Sequence, residues 1–183
     1  MSREGQRFIG GMQAVIVILI LSIGWFSCVL GAAWGIAWLG PAVVSVLILL
    51  HLLYSRTWRR DLVFMLALGL VGAIVETLFL KSGLISYAGQ GESSLAPVWV
   101  VVLWAHFGTM RHATLRLLFG RPMIAALSGA VVAPLVYSAG AALGAASFAP
   151  PSWRALTMIA VTWALVVPMA SFFAWRGTPL QHS

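Results

Sequence analysis

The chain has 183 residues, of which 61% are hydrophobic and only 8% are charged. Soluble domains carry about 25% charged and about 45–50% apolar residues, so this composition excludes an ordinary soluble domain. The net charge of +7 would suit a nucleic-acid-binding protein. Most of the cations, however, flank apolar segments, which is the pattern that sets membrane topology, and we predict no nucleic-acid partner.

Six apolar segments follow one another along the chain, each near the roughly 20 residues that a helix needs to cross a bilayer. The first is longer than the roughly 7–15 residues of a signal-peptide core, so we interpret it as a retained membrane helix. The second, which follows a turn rich in Gly and Trp, is the marginal one for crossing a bilayer. The predicted spans are residues 11–31, 36–54, 62–80, 98–118, 123–146 and 155–175.

The cationic residues lie asymmetrically about these predicted spans. If the amino terminus is cytoplasmic, nine of the eleven Lys and Arg residues fall on the cytoplasmic side, and only Lys81 and Arg154 fall on the other. Such an excess of cations marks the cytoplasmic face. We therefore predict an all-α polytopic transmembrane helix bundle, one domain over residues 1–183, with both termini cytoplasmic and the loop 81–97 outside.

The third predicted span contains a carboxylate, Glu76. Ionisable residues inside a membrane are costly, so each marks a candidate functional site. At about 100° per residue, Met65, Gly69, Gly72 and Glu76 share one helix face. A stripe of small residues favours close helix packing, so we expect this face to contact a neighbouring helix and Glu76 to point into the bundle.

The fourth predicted span carries His106, at a depth comparable with that of Glu76, and Arg111, which is deeper toward the cytoplasm. In a functional interpretation, Glu76 and His106 form a proton-handling or polar-ligand pair. In a structural interpretation, Glu76 is a hydrogen-bonded packing anchor without chemistry. The scattered Glu and His residues lack paired ligand spacing, so we predict no metal site, and no cofactor motif is present.

The fifth predicted span has a small-residue face on both sides of Pro134. Ala125, Gly129 and Ala133 precede the proline, and a Gly-x-x-x-Gly motif at 140–144 follows it. This pattern predicts close packing, either within the chain, across a homodimer or against another membrane protein. Because Pro134 has no backbone N–H, a carbonyl one turn earlier in the helix loses its usual hydrogen-bond donor. Tyr137 supplies a hydroxyl group near that carbonyl. The candidate polar intramembrane site therefore comprises Glu76, His106, Arg111 and Tyr137.

Several stretches resemble a family of bacterial inner-membrane proteins catalogued as domain of unknown function 2878. They are Gly-Trp-Phe-Ser-Cys-Val-Leu-Gly at 24–31, Pro-Val-Trp-Val-Val-Val-Leu-Trp at 97–104, Ala-Pro-Leu-Val-Tyr at 133–137, and Trp163 with Pro168. Similar proteins tend to have an aspartate in the third span, where this chain keeps a carboxylate as Glu76. The resemblance implies a multi-pass protein of the bacterial inner membrane, and it supplies no catalytic residue. Similar proteins are often encoded near lipid-modifying functions.

Three functions follow from these observations as hypotheses. The leading one is a lipid-binding protein, or an accessory to envelope fatty-acid and lipid metabolism, whose partners are membrane lipids. The second is a small proton- or cation-coupled transporter or channel that uses Glu76 and His106. The third is an intramembrane lipid-modifying enzyme in which Glu76 or His106 is the acid or base. A lateral apolar opening beside Glu76 would favour lipid binding, and a wet path reaching both sides would favour transport.

Overall fold

A computed structural model describes the backbone of residues 3–176 and the side chains of residues 16–175. The fold is helical, which confirms the all-α prediction. Two three-residue strands, β1 (Ile85–Tyr87) and β2 (Ala146–Phe148), and a 3-10 turn at Gly108–His112 complete it. The helices are α1 (Arg3–Ala33), α2 (Leu39–Tyr54), α3 (Trp58–Lys81), α4 (Val98–Phe107), α5 (Thr114–Leu118), α6 (Pro122–Ala142) and α7 (Trp153–Arg176).

Four helices in the described part of the chain are long and apolar enough to cross a membrane. They are the Ile16–Ala33 part of α1, α3, α6 and the Trp153–Trp175 part of α7. Helix α2 is apolar but has only 16 residues. Large apolar side chains cover the outer surface of these helices; Leu70 and Leu135, for example, are each 65% exposed. Such a surface suits contact with lipid chains rather than with water.

The fourth predicted span is not one continuous helix. Helix α4 ends at Phe107, the 3-10 turn follows, and α5 begins only at Thr114. Ala113, between the turn and α5, has φ −108° and ψ −104°, far from helical values. The turn carries Arg111 and His112 to a buried aspartate on α3. An apolar pattern alone gives no sign of this interruption, because the polar contact that accompanies it is made with a distant residue.

The helix predicted at 123–146 is also shorter than expected. It ends at Ala142, and Gly144 adopts a left-handed conformation with φ 89°. Glycine takes this conformation without the steric penalty that a Cβ atom brings, so it is suited to end a helix. The next residues enter β2, which pairs antiparallel with β1 in the register Ile85 with Phe148 and Tyr87 with Ala146. The loop 81–97 therefore contains a strand that we did not predict.

The two strands close one end of the bundle, which we call the sheet end. The opposite end, which we call the aspartate end, holds Asp61 at the start of α3. The segment 98–118 connects the two: Trp99 donates to the carbonyl of Ala88 beside β1, and Arg111 contacts Asp61. It therefore traverses the bundle despite its interruption. Helix α6 packs along α7, and α3 packs along α4.

Candidate functional site

Glu76 is completely buried and accepts hydrogen bonds from three neutral side chains. Trp104 Nε1 donates to Oε1 at 2.7 Å. The hydroxyl of Tyr137 donates to the same oxygen, and the hydroxyl of Tyr87 donates to Oε2. These four residues, which we call the carboxylate cluster, come from α3, α4, α6 and β1. A single carboxylate thus joins four separate elements.

The small-residue face of α3 allows this arrangement. Met65, Gly69, Gly72 and Glu76 are all buried, as the spacing predicted. A Cβ atom at Gly72 would collide with the indole of Trp104, so only glycine lets this ring lie against the helix and reach Glu76 one turn away. At Gly69 a Cβ atom would lie an ordinary 3.5 Å from Ala105. The contact with α4 is therefore tight at Gly72 and relaxed at Gly69.

The Glu76 carboxyl group is met by neutral partners alone in the described part of the chain. No Lys, Arg or His side chain among residues 16–175 forms an ion pair with it. Burial raises the pKa of the Tyr87 hydroxyl far above its usual range, and the nearby Glu76 charge raises it further. Tyr87 therefore keeps its proton and acts as a donor.

A cavity of about 750 Å³ lies beside the carboxylate cluster. Tyr87, Trp104 and Tyr137 form part of its wall, whereas Glu76 itself is fully buried. The rest of the wall is largely apolar and comes mainly from α1, α4, α5 and α6, with a smaller contribution from α7. Trp104 packs against Trp163 of α7 with ring centroids 4.6 Å apart. Pockets of about 300–1,000 Å³ hold ligands of moderate size, so the cavity is large enough for one.

The cavity opens sideways between α1 and α6. Ile18 on α1 and Leu135 on α6 both line it, and they are 60% and 65% exposed. At the sheet end the chain just beyond α6 comes close to α1, since a Cβ atom at Gly144 would lie 3.7 Å from the side chain of Ala33. On α6 the wall extends from Ser128 to Gly140, about 18 Å at 1.5 Å per residue. The result is an elongated apolar slot with a lateral mouth.

His106 lines the same cavity but does not contact Glu76. The ring is 1% exposed, and its Nε2 lies 3.2 Å from the carbonyl oxygen of Ile20 on α1. A Cβ atom at Gly24 would overlap the ring, so glycine makes room for it. Within residues 16–175, Glu76 and His106 share no hydrogen bond. The predicted pair is thus separated, with His106 facing α1 and Glu76 facing α4, α6 and β1.

Arg111 belongs to a second polar cluster at the aspartate end. Its Nη1 atom lies 2.6 Å from Oδ1 of Asp61, and both side chains are buried. His112 Nε2 lies 2.9 Å from the same oxygen, Ser55 donates to Oδ2, and His51 Nε2 is 3.5 Å from Oδ2. These five residues, which we call the aspartate cluster, bring together the ends of α2, α3 and the 98–118 segment.

Neither Asp61 nor Tyr87 was among the site residues predicted from the sequence. Asp61 could have been recognised from its position at the start of an apolar helix, shortly after His51 and Ser55 in the sequence. A carboxylate there needs a partner once it is buried, because an unpaired buried charge is costly. Tyr87 gave no comparable signal, because its place depends on a three-residue strand.

Comparisons with known proteins complete this description. Neither the search of curated proteins nor the search of solved structures finds a match. A family model described as "Protein of unknown function (DUF2878)" matches residues 14–169, which is most of the chain, and the protein therefore belongs to that family.

Proposed function

We propose that the protein is an integral protein of the bacterial inner membrane that crosses the bilayer six times, with both termini cytoplasmic. The contacts at the two ends support this arrangement, since the chain passes between them through α2 and the interrupted 98–118 segment as well as through the four long helices. The distribution of cations supports the orientation. The sheet end has Lys81 and Arg154, whereas the aspartate end has Arg56, Arg59, Arg60, Arg111, Arg116 and Arg121.

We propose further that the protein binds a membrane lipid in the cavity beside the carboxylate cluster, as a lipid-binding protein or an accessory to envelope lipid metabolism. The observation that carries this proposal is the lateral mouth between α1 and α6. In a bilayer, such a mouth opens onto acyl chains rather than water. The slot is about 18 Å long, close to half of the roughly 30 Å hydrocarbon core, which is the depth that one acyl chain occupies.

The test is to identify lipid that remains bound to the purified protein. The chain is extracted in a mild detergent and washed, and the bound lipid is released and identified by mass spectrometry. We expect about one acyl-containing molecule per protein. Val132 lines the cavity, whereas its neighbour Val131 is exposed outside it.

Two variants provide a matched comparison. A Val132→Trp variant should lose the bound lipid because the indole fills the slot, whereas Val131→Trp should retain it. Absence of bound lipid from the folded wild-type chain, or equal retention by the two variants, would contradict the proposal.

A further inference from the structure

Apart from its lateral mouth, the slot is closed at the sheet end and open at the aspartate end. The side chains that line its sheet end are each at most 6% exposed; they are Val29, Tyr87, Trp99, Val100 and Ala145. Toward the aspartate end, Ile18 on α1 and Thr114 on α5 line the same slot and are exposed. Burying the polar group of an amphiphile without partners is costly. The chain of a bound lipid should therefore point toward the sheet end, with its polar group toward the aspartate end.

Hydroxyl groups lie on the wall in this open half of the slot. Ser22 on α1 and Thr114 on α5 both line it. A hydroxyl can donate as well as accept, whereas a carbonyl only accepts. Hydroxyls here suit the ester carbonyls of a glycerolipid, which lie between its acyl chains and its head group.

Arg121 lies just beyond the open end, on the face of α6 that lines the slot. Its carbonyl accepts a helical hydrogen bond from Ala125, so Arg121 continues the path of the helix. At about 100° per residue, Arg121 shares one helix face with Ser128 and Val132, which both line the slot. Arg121 lies about 10 Å from Ser128 along the helix axis, at 1.5 Å per residue. It is therefore at the level of the head group of a lipid whose chain occupies the slot.

The charge of Arg121 has no carboxylate partner within residues 16–175. The ion pairs among these residues all involve Asp61, whose partners are Arg111, His112 and His51, and Arg121 is exposed. An arginine is permanently charged, and the planar arrangement of its donors matches a phosphate group. A cation near the membrane surface also attracts anionic lipids. A head group with a net negative charge is therefore complementary to this end of the slot.

We infer that the slot takes an anionic phospholipid from the cytoplasmic leaflet, with one acyl chain pointing toward the sheet end and the head group beside Arg121. This inference rests on the proposed lipid-binding function and orientation, and it names the class of head group and the leaflet. The lateral mouth between α1 and α6 lets the second acyl chain stay in the bilayer. An apolar cavity alone would not distinguish an anionic phospholipid from a zwitterionic one.

The first experiment compares phosphatidylglycerol with phosphatidylcholine, which carry identical palmitoyl and oleoyl chains and differ in net head-group charge. Each is titrated into the delipidated full-length protein in a mild detergent, and binding is measured by native mass spectrometry. We expect phosphatidylglycerol to bind about fivefold more tightly, the effect of about one arginine near a membrane surface. Equal binding, or preference for phosphatidylcholine, would overturn the head-group assignment and leave lipid binding intact. Failure of both lipids to bind the folded protein would overturn lipid binding itself.

A pair of variants tests the role of Arg121 in this preference. Arg121→Gln should bring the ratio of the two affinities toward one. Arg56→Gln is the matched control, because Arg56 is exposed at the same end of the bundle but lies between α2 and α3, away from the slot. That variant should keep the wild-type ratio. Equal ratios in the two folded variants would overturn the assignment of the head group to Arg121.

The second experiment tests the direction of the bound lipid. A phosphatidylglycerol with a photoreactive diazirine at the end of one acyl chain is bound and irradiated, and the labelled residues are identified by mass spectrometry. We expect labelling at the sheet end of the slot, for example at Val100 and Gly140, rather than at Thr114 and Leu118. Labelling at the aspartate end, or equally at both ends, would overturn the inferred direction.

Discussion

The Tyr137 hydroxyl on α6 donates a hydrogen bond to Oε1 of Glu76 on α3. Helix α3 packs along α4, and α6 packs along α7, so this bond links two packed helix pairs. Trp104 donates to the same carboxylate oxygen from α4 and contacts Trp163 on α7. The carboxylate cluster therefore fixes the position of α6 relative to α3 and α4, and with it one wall of the cavity.

Replacing Glu76 should destabilise the fold, because three buried donors lose the group that accepts their hydrogen bonds. In Glu76→Ala the buried groups of Tyr87, Trp104 and Tyr137 lose their acceptor, at about 1–3 kcal/mol each where no water replaces it. We expect the free energy of unfolding to fall by about 3 kcal/mol or more, measured by denaturant unfolding in detergent. Glu92→Ala, in an exposed loop, should stay within about 0.5 kcal/mol of the wild type. Equal stability of the two variants would show that the cluster does not hold the helices together.

The tight contact at Gly72 provides a second prediction with a control on the same helix face. In Gly72→Ala the new methyl group meets the Trp104 ring, which must move away from Glu76, and we expect a loss of about 1–3 kcal/mol. In Gly69→Ala the methyl group has ordinary contact with Ala105, and alanine is the better helix former. That variant should match or exceed the wild-type thermal stability. If both variants behave alike, the close approach of Trp104 is not a determinant of packing.

The face that carries Glu76 was predictable because helical periodicity and small residues are local properties of the sequence. The partners of Glu76 were only partly predictable. Tyr137 was a candidate from its place after Pro134, but Tyr87 depends on β1 pairing with β2, about 60 residues farther along the chain. Sequence separations of this size leave no periodic signal, and three-residue strands are too short to show alternation.

The expected pairing of Glu76 with His106 illustrates a different limit. Depth in a membrane follows from the rise per residue, so both residues could be placed at similar levels. The direction that each side chain faces depends on how the helices cross. Because Gly24 has no side chain, the His106 ring fits against α1 and pairs with the carbonyl of Ile20. Arg111 was placed deeper in the same helix, but the interruption after Phe107 carries it to Asp61.

The ion pair between Asp61 and Arg111 should show strong coupling. Asp61→Ala leaves the Arg111 guanidinium buried without its counter-ion, which should cost about 3–5 kcal/mol. The double variant Asp61→Ala with Arg111→Ala should lose less unfolding free energy than the sum of the losses in the two single variants. In the double variant neither charge is left buried without its counter-ion. Arg116→Ala, at an exposed position on α5, is the control and should have little effect. Additive losses in denaturant unfolding would show that the pair does not stabilise the aspartate end.

The contact between His106 and α1 should respond to a single methyl group. In Gly24→Ala the new Cβ atom overlaps the His106 ring, so the ring must turn and the bond to the Ile20 carbonyl is lost. We expect a lower melting temperature and weaker retention of bound lipid, because α1 and α4 both form the cavity wall. Gly69→Ala is the control: Gly69 does not line the cavity, and its methyl group would lie an ordinary 3.5 Å from Ala105 on α4. That variant should keep its bound lipid and its stability. A Gly24→Ala protein that retains both would show that the position of His106 does not set the shape of the cavity.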